Sequence, residues 1–435
     1  MNNNIVEIPE HRFFMLPFEC GTQQLTRSTL HSHSEFRKPR RTYLYVATRL
    51  ISILNNILTF SVNIENENEE KVYLKVTQTH LLVSCSVDTD KTYLSRYAYF
   101  LLDKYLNFYP AKDMDNFYWP DFFDATGKSK FLEIENKGNT FEIKLRTKYQ
   151  FFYKPGLALP LISGKYWVRR SEVQGCSVAS KHKNQTEVTA YCVLDPLSLH
   201  IQNQDNKELT LLIPIKITLN KDQRSFKSML RYMNPSNSYE LTVEDDDQYL
   251  LNNICKEMWK NTLFFQNKNA KTGILSKKYI ERNLTQFKLW EQAFPLVSGQ
   301  KFVYYQPIYG LRYIKGKPTK KDISSCEFSP EIPTLKFFLK DKGDYYTLEI
   351  KFSVNEKIFN FASHLTTHYF AASDIDPKRF YLLGSPEDAE LVSFFARINF
   401  SLPVLKKHYH SHFKVFTDKI RRLYGIKNDK LKLPA

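Results

Sequence analysis

The chain has 435 residues, of which 42% are hydrophobic and 15% aromatic, and this composition excludes an intrinsically disordered protein. Its formal net charge of +16 favours polyanionic partners, namely nucleic acid or an acidic protein surface. Six scattered cysteines without a C-x-x-C pair favour a reduced, cytoplasmic protein over a secreted disulfide framework. Because no segment approaches the roughly 18 apolar residues of a membrane helix, we expect no membrane insertion.

The N-terminal half begins with a segment that ends in the basic run "RKPRR" and that we expect to be an arm, ordered in part by its phenylalanines. From residue 42, "TYLYVATRLISILNNI" has the spacing of either a helix or a buried strand. The following "LTFSVNIENENEEKVYLKVTQTHLLVSCSV" alternates at period two around a polar "ENENEE" turn, which predicts a β-hairpin. "LSRYAYFLLDKYL" then predicts a helix with one apolar face.

The middle of the chain is predicted to be rich in short strands, with a hairpin turning at Lys137-Gly138-Asn139 and a buried strand at 209–219. "SFKSMLRYM" is predicted to be a short helix or a loop. A longer helix is expected after "LTVEDDD", with Thr242 as its N-cap and the Glu244–Asp247 carboxylates near its positive end.

The last third combines two kinds of predicted element. A helix over 279–297 is expected to stop near Pro295, and "TLKFFLKDKGDYYTLEIKFSV" predicts a hairpin turning at Asp341-Lys342-Gly343. A second helix is expected to begin with Ser385 as N-cap and Pro386 at its first position. The final "VLKKHYHSHFKVFTDKIRRLYGI" predicts a helix with one apolar and one basic face.

These elements predict an α+β fold in which several antiparallel-sheet modules carry segregated helices. No fixed-period repeat is present. The predicted parts are a basic N-terminal arm at 1–41, a hairpin–helix module at 42–108, a β-rich module at 109–205, a mixed α/β module at 206–325, and a hairpin with basic C-terminal helices at 326–435.

Each candidate motif of catalysis or of metal binding lacks a residue that its chemistry requires. "GKS" at Gly127–Ser129 lacks the first glycine of an ATP-binding loop, because position 122 is Phe. "HLTTH" at 364–368 lacks the Glu base of a zincin. In "HYHSH", His408 and His412 share a helical face but have no nearby cysteine or carboxylate to complete a metal site. We therefore expect neither enzymatic activity nor a cofactor.

Residues 84–106 resemble a SWIM zinc module, whose pattern is C-x-C, a short loop, and C-x-H at the start of a helix. The four ligand positions fall on Cys85, Val87, Ser95 and Tyr97, so one ligand in four remains. The resemblance implies a degenerate, zinc-free hairpin–helix in which Cys85 is a buried thiol. Apolar packing would replace the metal, and we expect it from Val83, Val87, Leu94, Tyr97, Leu101 and Leu102.

The region downstream resembles the segment that precedes the motor in bacterial SWI/SNF-family helicases. "LTVEDDDQYLLNNI" matches an acidic-capped helix, and Phe294–Gly299 with Phe302–Tyr304 matches the family's "L-P-L-L-x-G" segment. "PTLKFFLKDKGDYYTLEIKFSV" is similar to its Pro-led hairpin, and "FYLLGSPEDAELVSFF" to the following strand and helix. The resemblance covers residues 42–430 and implies the helicase-associated accessory region without the ATPase motor.

From this resemblance and the charge, we expect a non-catalytic accessory module that binds nucleic acid, DNA rather than RNA, or that docks onto a helicase or another protein of a larger complex. The alternative is a protein-binding scaffold subunit of a cytoplasmic complex without nucleic acid contact. The residues expected to contact phosphates are Arg37, Lys38, Arg40 and Arg41 in the arm and Lys406, Lys407, Lys414, Arg421 and Arg422 on the last helix.

Overall fold

The structure is a computed structural model, and it describes residues 13–19, 22–34, 45–54, 56–87, 92–107, 109–124, 126–137, 140–164, 187–196, 209–233, 246–263, 277–308, 314, 317–318, 321–362 and 369–429. The chain divides into two compact units. Unit 1 lies within Met1–Leu157 and Lys407–His412, and unit 2 within Ala158–Lys406 and Phe413–Ala435. Helices and mostly antiparallel sheets occur together, which confirms the predicted α+β class.

Unit 1 is built on a five-stranded antiparallel sheet covered by one helix. Its strands are β1 Phe14–Pro17, β2 Gln24–Thr26, β3 Val46–Leu54, β4 Ile57–Ile64, β5 Glu70–Val76, β6 His80–Cys85, β7 Ala111–Asp113, β8 Leu132–Lys137 and β9 Thr140–Leu145. Its first helices are α1 Arg27–Ser32 and α2 Arg96–Leu106. The main sheet has the order β1-β6-β5-β4-β3, and two-stranded sheets pair β2 with β7 and β8 with β9.

The core of unit 1 lies between α2 and the main sheet, because alternate strand residues and one face of α2 are apolar. The segment at 46–54, whose apolar spacing fitted either a helix or a buried strand, is a strand. Phe14 and Phe18 in the predicted arm are buried, and Phe14 pairs with Val83 of β6. Strand pairing therefore joins the predicted arm to the predicted hairpin–helix module.

Unit 2 contains three sheets. Its strands are β10 Glu187–Pro196, β11 Leu211–Leu219, β12 Phe226–Tyr232, β13 Val303–Ile308, β14 Ser324–Ser325, β15 Glu327–Ser329, β16 Thr334–Asp341, β17 Tyr345–Val354, β18 Lys357–Phe359, β19 Phe370–Ala371, β20 Arg379–Leu382, β21 Ser401–Leu405 and β22 Ile426–Asp429. The strand orders are β12-β11-β10-β13-β14, β15-β20-β19 and β18-β17-β16-β22, with β21 paired to β17. Because β10 pairs with both β11 and β13, one sheet crosses the boundary predicted at residue 205.

The first helices of unit 2 in chain order are α3 Asp246–Leu263, α4 Lys277–Ser298 and α5 Pro386–Ala396. Helix α4 agrees with the predicted helix over 279–297 to within two residues at each end, and it continues for three residues past Pro295. Its neighbours Phe294 and Val297 are 1% and 0% exposed, and this burial offsets the hydrogen bond that proline removes. Thr242 and Glu244, the expected cap and first carboxylate of α3, lie outside the described residues.

The segment "SFKSMLRYM" is a strand, so its prediction as a helix or loop is wrong. Strand β12 pairs with β11 from Ile215↔Tyr232 to Leu219↔Phe226, with two shifts of register. Pairing with the buried β11 overrides the weak local pattern, because β-strand preference depends mainly on the neighbouring strand.

The last helical segment is not one regular helix. It consists of α6 Lys406–His408, a π-helical turn Tyr409–Phe413 and α7 Lys414–Tyr424. A π turn bonds residue i to i+5, so it interrupts the segment that was predicted to be one helix. His408 is 1% exposed, whereas His412 is exposed.

Helix α5 begins as the sequence predicts. Its N-cap Ser385 accepts a hydrogen bond of 3.1 Å from the backbone N–H of Asp388, and Pro386 occupies the first turn. The Asp388 carboxylate is buried and accepts a 2.6 Å hydrogen bond from the Tyr424 hydroxyl. Burial raises the pKa of Asp388 to about 6, although the Tyr424 and Ser385 hydrogen bonds oppose the shift.

We predict that Asp388→Asn removes part of the pH dependence of stability. Because the folded-state pKa of Asp388 is above the unfolded value, its contribution is complete below about pH 4 and is lost as the pH rises through about 6. Relative to the variant, the wild type should lose on the order of 2 kcal/mol of unfolding free energy between these pH values.

Urea denaturation across this pH range measures the difference between the two proteins. The exposed-carboxylate variant Asp374→Asn serves as control and should follow the wild-type curve. If the unfolding free energies of the wild type and Asp388→Asn changed with pH in the same way, the raised pKa of Asp388 would be contradicted.

Candidate nucleic-acid interface

The four SWIM-like positions lie where the β5–β6 hairpin ends and α2 begins. Cys85, Ser95 and Tyr97 are 9%, 0% and 7% exposed, whereas Val87 is 36% exposed. Burial raises the pKa of the Cys85 thiol, so the thiolate that a metal requires is disfavoured. Nowhere in the described part of the chain are three His, Cys, Asp or Glu side chains grouped to hold a metal ion.

The apolar packing predicted for this hairpin–helix is confirmed except at Val87. The buried side chains are Val83, Leu94, Tyr97, Leu101 and Leu102. Val87 lies beyond the last cross-strand pair, Val72↔Cys85, and no strand holds it against the core. The prediction that Val87 packs against the helix is therefore wrong.

Helix α7 carries three of the predicted phosphate-binding residues, Lys414, Arg421 and Arg422, and all three are exposed. Their i, i+7 and i+8 spacing places them on one side of the helix. One carboxylate competes for them, because Arg421 forms a 2.7 Å ion pair with Asp418. Arg422 donates a 3.4 Å hydrogen bond to the backbone carbonyl of Asp418.

The other two predicted helix cations already have carboxylate partners. In unit 2, Lys406 Nζ lies 2.9 Å from Asp341 Oδ2. In unit 1, Lys407 pairs with Asp121, which also bonds His408. The arm residues Arg37, Lys38, Arg40 and Arg41 lie outside the described residues.

The hairpin of β16 and β17 has one fully apolar face. Successive strand residues point to opposite sides, so Leu335, Phe337 and Leu339 share one face and are 1–3% exposed. The Phe337 ring centroid lies 6.0 Å from that of Phe395 on α5 and 5.4 Å from that of Tyr424 on α7. Helices α5 and α7 thus pack against this inner face.

The opposite, outer face of the same sheet is basic and half-exposed. Lys336 pairs directly with Lys351, Phe338 pairs with Glu349, and Lys427 of β22 lies beside Phe338. Paired residues in a sheet project to the same side. We call this group the sheet-face cluster: Lys336, Phe338, Lys340, Glu349, Lys351 and Lys427.

In the sheet-face cluster, positively charged side chains outnumber negatively charged ones. Lys340 forms a 2.7 Å ion pair with Glu349, the only carboxylate of the cluster. Lys336, Lys351 and Lys427 form no ion pair with other residues that the structure describes. Lys351 Nζ lies 5.6 Å from the centroid of the Phe338 ring, so cations surround a half-exposed aromatic ring.

The sequence predicts this hairpin but not the cluster on its outer face. The alternation of "LKFFLK" was visible, yet the adjacent Phe337 and Phe338 give no sign of which ring is buried. Lys427 joins the cluster only through the parallel pairing of β16 with β22, a long-range contact that local patterns do not reveal.

Comparison with protein-family models, with curated proteins and with solved structures found no match for this chain. Among the described helices, none has the length and apolar character needed to cross a membrane.

We predict that the Cys85 thiol of the folded protein reacts with iodoacetamide roughly a hundredfold more slowly than in the unfolded chain, because the thiol is buried and its pKa is raised. Peptide mass spectrometry of timed samples, with and without guanidinium, measures both rates. Rapid labelling of the folded protein that added Zn²⁺ suppresses would instead indicate a metal-binding thiolate.

Proposed function

We propose that this protein is a non-catalytic, cytoplasmic accessory module that binds single-stranded nucleic acid, DNA rather than RNA, through the sheet-face cluster. The observation that carries the proposal is a half-exposed sheet face on which three lysines, none of them in an ion pair with a residue that the structure describes, lie around the Phe338 ring. A helicase or another motor protein would act beside it.

The lysines supply affinity that does not depend on base sequence. Lys427, Lys336 and Lys351 lie on three adjacent strands and therefore span about 10 Å across the sheet. Ammonium groups at such positions neutralise successive backbone phosphates and release condensed counterions. Binding should accordingly weaken as salt rises.

The Phe338 ring favours single strands over duplex. An unpaired base has a free π-face that can stack on an aromatic side chain, whereas a paired base is already stacked within its helix. The nearby Lys351 ammonium adds positive charge at the ring, where the phosphate of a stacked nucleotide would lie.

The accessory role rests on the resemblance of this segment to the region before the motor of bacterial SWI/SNF-family helicases. All residues of the sheet-face cluster except Lys427 lie on β16 and β17, the strands that resemble the Pro-led hairpin of that region, and α5 resembles its following helix. A module of this kind would hold the displaced or loading strand while the motor moves along the duplex.

Replacing the three lysines should weaken binding and flatten its salt dependence. We expect Lys336→Gln/Lys351→Gln/Lys427→Gln to bind an oligothymidine of about 20 nucleotides at least tenfold less tightly at about 50 mM salt. The slope of log affinity against log salt should fall by about two, since each lost phosphate contact removes about 0.7. Fluorescence anisotropy measures both quantities.

The matched control is Lys414→Gln/Arg421→Gln/Arg422→Gln on α7, which removes the same charge from the predicted helix surface. We expect the control to lose less than about threefold in affinity. A larger loss in the helix variant than in the sheet variant would place the interface on α7. Failure of the wild type to bind any strand at low salt would end the nucleic acid proposal and favour the protein-scaffold alternative.

Stacking should contribute separately from charge. We expect Phe338→Leu, which keeps an apolar side chain but removes the ring, to weaken oligothymidine binding about tenfold without changing the salt slope. The same anisotropy titration at several salt concentrations tests this. If Phe338→Leu binds as the wild type does, bases do not stack on this ring.

A further inference from the structure

Unit 1 contains an open depression of about 410 Å³ between the turn of the β5–β6 hairpin and the segment after β7. Its volume lies in the range of small-molecule sites. The residues that line it are Asn56, Lys75, Val76, Thr77, Gln78, Thr79, Phe117, Tyr118, Trp119 and Pro120. The segment 117–120 thus supplies an aromatic wall, and Asn56 with residues 75–79 supplies a polar wall of amides, hydroxyls and one ammonium group.

Two polar side chains of this depression are available for a ligand. The Asn56 amide and the Lys75 ammonium make no hydrogen bond or ion pair with other residues that the structure describes. Both side chains are half-buried, so a ligand that bonds them is also shielded from water. Among the described residues that line the depression, only Lys75 is charged, which favours an anionic ligand.

The aromatic wall is held in place by bonds on its outer side. The Trp119 indole N–H donates a 2.7 Å hydrogen bond to the Asn116 carbonyl. The Lys154 ammonium lies 4.1 Å from the Trp119 ring centroid and forms a 2.8 Å ion pair with Asp115. The aromatic side chains are therefore already ordered before a ligand binds, and this lowers the entropic cost of binding.

The polar wall is also fixed by close packing. A Cβ at Gly156 would lie 3.1 Å from the Gln78 side chain, and a Cβ at Gly127 would lie 2.4 Å from the Ile53 carbonyl oxygen. Ile53 belongs to the β3–β4 hairpin, whose turn residue Asn56 has a left-handed φ of 61°. Because glycine has no side chain, the backbone at Gly156 can approach the Gln78 turn. The backbone at Gly127 can likewise approach the hairpin that carries Asn56.

We propose that this depression binds one nucleotide. Its base would lie against the aromatic wall, its polar edge would bond the Asn56 amide, and its phosphate would contact Lys75. A flat ring, hydrogen-bonding groups along one edge and a negative charge are the three features that the lining complements together. The nucleotide is either free in solution or an unstacked unit of a strand, and the site does not depend on the sheet-face cluster of unit 2.

Isothermal titration of the full chain with AMP, CMP, GMP and UMP tests the proposal, with ribose 5-phosphate as the ligand that lacks a base. At least one mononucleotide should bind with a Kd below about 1 mM, and ribose 5-phosphate at least about tenfold more weakly. No heat from any mononucleotide up to about 5 mM would overturn the proposal.

Variants assign the binding to the depression. Lys75→Met should weaken the best mononucleotide about tenfold, because a charge-assisted contact is lost. Asn56→Gly removes the amide at a backbone conformation that glycine accepts, and it should weaken binding about fivefold. The control Lys71→Met removes an exposed lysine of the same strand outside the lining and should bind as the wild type does.

Competition identifies the source of the nucleotide. Displacement of the mononucleotide by a single-stranded 15-mer in the sheet-face triple variant indicates an unstacked unit of a strand, whereas no displacement indicates a free nucleotide. Unchanged mononucleotide affinity in a folded Lys75→Met variant, verified by circular dichroism, would overturn the site. That outcome leaves strand binding at the sheet-face cluster untouched, so the two proposals fail separately.

Discussion

Strand alternation in the β16–β17 hairpin is the constraint on which the candidate interface depends. Leu335, Phe337 and Leu339 are almost fully buried under α5 and α7, and burial of each such side chain stabilises the fold by roughly 1.5–3 kcal/mol. A shift of register by one residue would expose them and bury the lysines. The apolar face therefore fixes the direction in which Lys336 and Phe338 project.

The outer face of the hairpin contains an arrangement of charges that does not stabilise the fold. Lys336 and Lys351 are direct cross-strand partners, and like charges in such pairs are destabilising. Within the described part of the chain, Lys340 is the one lysine of the cluster with an ion-pair partner, Glu349. Local departures from stabilising patterns tend to occur at functional sites, and a bound polyanion would convert this repulsion into affinity. The depression of unit 1 likewise leaves Lys75 without a partner in the described part of the chain.

Short sequence patterns correctly predicted those elements whose structure depends on residues close together in the chain. The hairpin turn at Gly343, where φ is +87°, and the Ser385 cap of α5 follow from residues within a few positions, and both are as expected. Tertiary contacts determine the rest. Pairing with β11 makes a strand of 226–232, burial of Val297 carries α4 past Pro295, and a π turn interrupts the last predicted helix.

The central claim is that nucleic acid lies on the sheet-face cluster. Ultraviolet crosslinking of the full chain to a single strand that contains 5-bromouracil, followed by peptide mass spectrometry, tests it directly. We expect crosslinks within Thr334–Asp341, centred on Phe338, which disappear in Phe338→Leu. Crosslinks confined to Lys414–Tyr424, or their absence from β16 when the strand is fully bound, would contradict it.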